Sequence, residues 1–306
     1  MFKYILKRVT ISIPVLIGVI LLTFILLNVV PGDPITVMMK EHVKPDVIEN
    51  LREKMHLDDP AAIRFMRYLS GAVKGDFGIS YKLNRSVNEL IFQAFPNTLK
   101  LTIAAAIVAW VIGIPIGIIS AVKQNSIIDN LFMGFALFGV SMPVFWIGLV
   151  MQYIFSYKLG WLPVAGFTEW KQIIMPSIVL GWSSAGTIAR LTRSSLLETM
   201  KNDYIRTARA KGLKESGVVI GHALKNSLLP VVTMMAIQVA SLLSGAVITE
   251  SIFGIPGVGR LSVNAIQTRD MPLLQGSVVF ATALIILGNL IADILYSVID
   301  PRIRVK

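Results

Sequence analysis

The side chains of this sequence that could do chemistry are few, and their spacing excludes most of it. There is no cysteine, so no thiol nucleophile, disulfide frame or Cys-ligated metal is available. The three histidines, His42, His56 and His222, are scattered and make no ligand cluster. No G-x-x-x-x-G-K-[ST] phosphate loop occurs, which excludes ATP binding by that route. Gly254-Ile-Pro-Gly257-Val-Gly259 has the outline of a dinucleotide loop, but without a buried strand before it and a Rossmann helix after it, it reads as a turn. No cofactor is expected. What remains is one dense stretch, residues 190–225, carrying eight Lys/Arg against three Asp/Glu between two strongly apolar runs.

Inside that stretch Asp203 is placed to cap a helix through Tyr204, Ile205, Arg206, Thr207, Ala208, Arg209, Ala210 and Lys211. Gly212 follows where a left-handed C-cap is usual, and Leu213 comes next. A second helical stretch, 216–224, leads to Leu229-Pro230 at the start of an apolar run. Ile205 and Ala208 share one side, with Arg206, Arg209 and Lys211 over the rest. A small-residue ridge flanked by cations suits insertion into a groove on another protein. Topology-setting cations that touch anionic lipid would explain the charge, but not the helix–glycine–helix–proline pattern.

The elements that must hold this segment are membrane spans. Of 306 residues, 54% are hydrophobic and 15% charged, with mean hydropathy +0.69; soluble domains carry about 25% charged residues. The expected class is all-α integral membrane, because charge-free runs of at least 18 residues at 9–32, 101–122, 130–157, 172–189, 226–249 and 271–292 match the ~20 helical residues that cross a bilayer. They do not alternate as strands would. The first run is too long for a signal-peptide core and lacks a small-residue cleavage site, so it reads as a span. With both termini inside, the inner segments hold 15 Lys/Arg against five Asp/Glu and the outer ones 14 against 12. That asymmetry makes both termini cytoplasmic and accounts for the net charge of +11 without nucleic acid. The expected organisation is a first span within 1–32, an extracytoplasmic helical segment 33–100, a five-helix core 101–300 whose last span extends to 297, and a tail 301–306. The basic segment 190–225 lies within that core, between its third and fourth spans.

In the outer segment, Ile48, Leu51 and Met55 fall at helix spacing, Asp59-Pro60 reads as an N-cap with an N1 proline, and Phe65, Leu69 and Val73 continue one apolar face. Ser86-Val-Asn-Glu89 reads as a capping box opening a short helix that ends near Phe95-Pro96. The pattern fits a helical cap on the membrane and a docking surface for a soluble partner equally. Gly113 and Gly117, then Ala236, Ala240 and Ser244, predict helix-packing seams. Pro115, Pro143 and Pro176 are candidate kinks. Asp293, the ionisable group nearest a span interior, reads as interfacial or packing rather than functional.

Arg206-Thr-Ala-Arg-Ala-Lys-Gly212, with His222-Ala-Leu-Lys-Asn and Leu228-Leu-Pro230, resembles the cytoplasmic signature of binding-protein-dependent ABC importer permeases, Glu-Ala-Ala, three residues, then Gly. Only Ala208 and Gly212 match it strictly. Its departures resemble the dipeptide/oligopeptide/nickel branch, as do Pro31-Gly-Asp-Pro34, Gly75-Asp-Phe-Gly78, Ser141-Met-Pro143 with Phe145-Trp146, and Leu191-Thr-Arg-Ser-Ser195. So do Glu250-Ser-Ile-Phe253, Pro256-Gly-Val-Gly-Arg260, Arg269-Asp270 and Asp300-Pro-Arg302. Together they resemble the first of that branch's two permease subunits over nearly the whole chain. The resemblance implies a type I importer permease fold in a prokaryotic cytoplasmic membrane. Implied partners are a second homologous permease, two ATP-binding subunits and an extracytoplasmic solute-binding protein. It also implies that Tyr204 through Leu213 contact the ATPases and transmit their closure. The chain itself is then no enzyme, and peptides are the expected substrate, with nickel or another small solute the alternative. An ion-coupled secondary transporter would need polar groups near the midplane, where only Asp293 comes close, and an embedded enzyme would need a constellation that the spans lack.

Overall fold

The computed structural model describes residues 2–29, 49, 52 and 58–299. Ile48, Leu51, Met55, His42, His56, Pro31-Gly-Asp-Pro34 and Asp300-Pro-Arg302 lie outside the described residues. The helices are α1 Phe2–Val29, α2 Ala61–Val73, α3 Val87–Val122, α4 Ile127–Ser141 and α5 Val144–Met151, the last continuing as π-helical Gln152–Lys158. Then come α6 Lys171–Thr199, α7 Asp203–Ala210, α8 Leu224–Ile252, α9 Val258–Gln267 and α10 Met271–Ile299. The chain enters α8 through Glu215–Gly217 and a π-helical stretch, Val218–Ala223, so the second stretch predicted after Gly212 is the first part of a span, with Pro230 inside it.

Among the described residues, five helices are long and apolar enough to cross a membrane: Arg8–Leu26, Val87–Val122, Lys171–Thr199, Glu215–Leu243 and Met271–Ile294. The remaining run, 130–157, is broken. α4 and α5 meet at 105° across Met142-Pro143. Proline has no N–H for the helix ladder and drives the residue before it out of the helical region; Met142 is extended, at φ −81, ψ 137. Pro115 and Pro176, the other two candidate kinks, sit inside unbroken helices, as do Pro96 and Pro230. The Ser86 capping box likewise fails to open a short helix. Ser86 stands at the N-cap of α3 without a side-chain cap bond, Glu89 pairs with Arg85, and the helix runs through Pro96 to Val122. Asp59 pairs with Arg67 at 2.8 Å, and Pro60, not Asp59, holds the N-cap position of α2.

The bundle is built around α3 against α6. Ala105, Ala109, Gly113, Gly117 and Ala121 recur every fourth residue on α3, and all are buried. A Cβ at Gly113 would lie 2.7 Å from the Ala185 carbonyl, and one at Gly117 2.6 Å from both the Ala189 carbonyl and Thr192 Cβ. Close backbone approach is what holds helices together where lipid removes the hydrophobic drive between them. Ala240 makes the corresponding contact with Gly288 on α10; Ala236 is half-buried, and the Ser244 side chain is outside the described set. Gly117→Ala is expected to destabilise the permease by about 1–3 kcal/mol, the usual range for an overpacked core, read as a lower unfolding midpoint in detergent. An unchanged midpoint would show that the seam yields.

α1 is peripheral, with 6% of its spanning window buried. Arg8 on α1 pairs with Asp293 on α10 at 3.2 Å, and Phe24 packs edge-on to Phe65 of α2, centroids 5.4 Å apart. Asp293 therefore has a helix-packing partner, as the sequence favoured.

Candidate coupling site

At the end of α6 the chain turns through Met200 to Asn202 and enters α7. Asn202, at ψ 147, takes the N-cap position, and Asp203 falls in the first turn. The cap is one residue earlier than the pattern suggested, and Asp203 faces Arg206 at 3.5 Å in an open ion pair of little energetic consequence. Gly212 has φ +78, the left-handed stop predicted for it.

The orientation of α7 reverses the predicted ridge. Ile205 and Ala208 do not face outward. They are buried in a cluster with Ala121 of α3, Leu196 of α6, and Val218, Val219 and Ala223 of the π-helical stretch. Spacing puts Ile205 and Ala208 on one side, but the core of the same chain claims it. The outward face carries Tyr204, Arg206, Thr207, Arg209, Ala210, Lys211, Gly212 and Leu213, all exposed. Three connections stitch the segment down. The apolar seat is the first. Asn226 of α8 donates to the Tyr204 hydroxyl at 2.9 Å. Arg209 reaches across Gly212 to both Glu215 oxygens, at 3.1 and 2.6 Å. The Glu215 carboxylate raises the Arg209 guanidinium above its ordinary value through these hydrogen bonds. The wider π-helical turn brings Val218, Val219 and Ala223 inward together while Ile220 points out.

The opposite end of the bundle holds two carboxylates that the sequence reading passed over as motif letters. Glu250, at the end of α8, is fully buried. It accepts from the Thr98 hydroxyl at 2.6 Å and the Arg260 amide at 2.9 Å, and the Val258 amide donates to Thr98 at 2.9 Å. A side chain on Gly257 would overlap this carboxylate, and one on Gly259 would come within 2.6 Å of Val247 Cα. Gly254 to Gly257 is thus a turn, as predicted, whereas Val258 and Gly259 open α9, and together they form a cradle: the start of α9 closes on Glu250 with its positive end. Asp270 heads α10 and accepts from the Ser80 hydroxyl and from the Tyr81 and Lys82 amides at 3.1 and 3.2 Å. An acid directly bordering an apolar run was the available signal. Among the described residues no group of three His, Cys, Asp or Glu is placed to hold a metal.

Two family models match the chain. "Binding-protein-dependent transport system inner membrane component" covers residues 113–305, and its N-terminal companion covers 1–102. The chain belongs to this family of inner-membrane permeases. Relatives align over essentially their whole length. The dipeptide transport system permease protein DppB of Alkalihalophilus pseudofirmus is 40% identical over 99% of this chain and 100% of its own. The glutathione transport system permease protein GsiC is 42% identical in Salmonella paratyphi A and 41% in Escherichia coli K12, each over 100% of both chains. The fold is shared with solved importers: an inward-facing MetNI methionine ABC transporter, TM-score 0.57 at 19% identity over 69% of this chain and 96% of that one, and an amino acid ABC transporter, TM-score 0.54 at 15% identity over 68% and 93%. This permease is therefore an all-α ABC importer subunit of the type I fold and a multi-pass membrane protein, the inner-membrane component of a binding-protein-dependent transport system. The expected match to this family holds.

Proposed function

We propose that this permease is the first of two that form a peptide path, with α7 and both termini on the cytoplasmic side. The dipeptide and glutathione relatives support peptides as the substrate class. Two ATP-binding subunits would press on the outward face of Tyr204–Leu213, and an extracytoplasmic binding protein would deliver the peptide at the opposite end. The observation that carries the coupling role is the seat of α7: it rests at once on the ends of α3, α6 and α8, so force on one short exposed helix reaches three spans together. An ion-coupled mechanism gains no support, because Asp129, Glu250 and Asp293 are each engaged by other groups of the protein.

The chain has no cysteine, so a single Ala210→Cys gives an unambiguous probe. In the assembled transporter it is expected to cross-link to an ATP-binding subunit, and Ala210→Asp to lower peptide uptake at least tenfold with insertion intact. A cross-link confined to other partners, with normal uptake for Ala210→Asp, overturns the reading.

A further inference from the structure

Leu191-Thr-Arg-Ser-Ser195 contains an arginine that neither the α7 surface nor the helix seam uses. The Arg193 guanidinium reaches Asp129 at the start of α4 through two parallel bonds, Nε to Oδ1 at 2.8 Å and Nη2 to Oδ2 at 2.7 Å. The Asp129 side chain is 2% exposed and that of Arg193 26%. The same carboxylate accepts from the Asn125 amide at 2.9 Å, where φ of +61 turns the α3–α4 connection, and Ser126 caps α4 by accepting from the Asp129 amide at 3.2 Å. Loop, helix start and α6 are bound at one carboxylate.

Placement gives this pair its interest. α4 packs mainly on α6. The rest of that contact is apolar and close: a Cβ on Gly139 would overlap the Trp182 ring, and one on Gly186 the Ala136 backbone. Such apolar contacts hold the helices close but carry no directional bond between them. A bidentate arginine–carboxylate pair adds one, because its planar fork fixes distance and orientation together. A buried ion pair contributes little net stability against an apolar replacement, which leaves register as its physical use. At its far end the α4–α5 unit is tied again, with Gln152 donating to the carbonyls of Val164 at 2.9 Å and Ile252 at 3.1 Å.

We propose that Asp129 and Arg193 are positioning residues that make the broken α4–α5 span follow α6 whenever α7 is driven. This rests on α7 being the ATPase contact. α6 carries both Leu196, in the α7 seat, and Arg193, less than one turn away. A displacement of the seat is then delivered to α4 as a directed shift, and the bend at Met142-Pro143 passes it to the opposite end of the bundle.

The test uses the complete reconstituted transporter and whichever of alanyl-alanine and glutathione the unsubstituted protein takes up. Asp129→Asn and Arg193→Lys keep size but lose the fork. Both are expected to assemble, to hydrolyse ATP within about twofold of normal, and to lower uptake per ATP at least tenfold. The exchange Asp129→Arg with Arg193→Asp is expected to recover part of that ratio. Spin labels at Ile127→Cys and Lys201→Cys supply a readout independent of substrate: one narrow distance that persists on ATP binding in the unsubstituted permease and broadens in Asp129→Asn. Unchanged uptake per ATP with an unbroadened distance overturns the proposal, and so does loss of assembly in both single variants, which would mark a mere brace. Ala210→Asp run in parallel separates the two readings, since normal uptake there would remove the coupling role of α7 whatever the pair does.

Discussion

Ala208→Asp is expected to cut peptide uptake by about tenfold or more while the permease still inserts and its spans still pack. The reason lies in the α7 seat. Fully burying a side chain such as Ile205 is worth about 1.5–3 kcal/mol, and an alanine adds less; an unpaired charge in a buried site costs about 3–5 kcal/mol. Ile205 and Ala208 are both buried, so an aspartate there opposes the apolar seat of the helix and leaves only the exposed Tyr204 and Arg209 ties to hold it. The penalty exceeds the gain by roughly 1–3 kcal/mol, and each 1.4 kcal/mol shifts the docked fraction tenfold. Freed, α7 has eight residues, well below the length at which a helix persists alone in water. Uptake by proteoliposomes, set against hydrolysis by the partner subunits, measures the effect. Gly212→Ala should be milder, because the space around Gly212 is open and the cost is the left-handed backbone alone, about 1–2 kcal/mol. The two positions looked equivalent in the sequence. Uptake at the normal rate for Ala208→Asp would falsify the seat as the element that transmits force.

Glu250→Ala is expected to have the largest effect on stability. It strips the acceptor from the Thr98 hydroxyl and the Arg260 amide and leaves those donors facing a hole between α3, α8 and α9. Each buried donor left without a partner costs about 1–3 kcal/mol, giving roughly 3–5 kcal/mol with the cavity added. At about 2–4 °C per kcal/mol for a bundle of this size, the unfolding midpoint should drop by on the order of 10 °C. Glu250→Gln retains one acceptor oxygen but turns an amide NH₂ toward amide N–H groups, so it should fall between. A loss of less than about 3 °C for the alanine variant would mean that α9 is held by its apolar contacts and not by the carboxylate.

Much of the molecule was legible beforehand because hydrocarbon enforces it. Runs near 20 apolar residues, Gly113 and Gly117 one helical turn apart, and Gly212 after a short helix are signatures written in neighbouring residues; the two glycine readings stand, and five of the six runs fall on long apolar helices while 130–157 is broken. What could be misread was whatever another helix decides. The Ser86 box and Pro96 looked like the bounds of a short helix, yet α3 runs through both, because thirty-odd residues of one-sided packing on α6, α8 and α10 outweigh one proline. Pro143 did break its helix. Nothing local distinguishes it from Pro115; the difference is that the bundle needs α5 to cross toward the end of α8, where Gly148 meets Ile252 and Phe253.

The sequence by itself thus determined that the chain is a membrane bundle, where most of its spans lie, which segment is the exposed handle and which family of importers it resembles. All of these rest on composition, period and short motifs. The tertiary structure alone decided which side of that handle is free, and that Ile205 and Ala208 are its root rather than its tip. It also assigned the buried acids: Asp129, Glu250 and Asp270 find partners 64, 152 and 190 residues away in Arg193, Thr98 and Ser80. A carboxylate beside an apolar run has the same letters whether it faces water or a distant helix, and only the packing of those helices makes the choice.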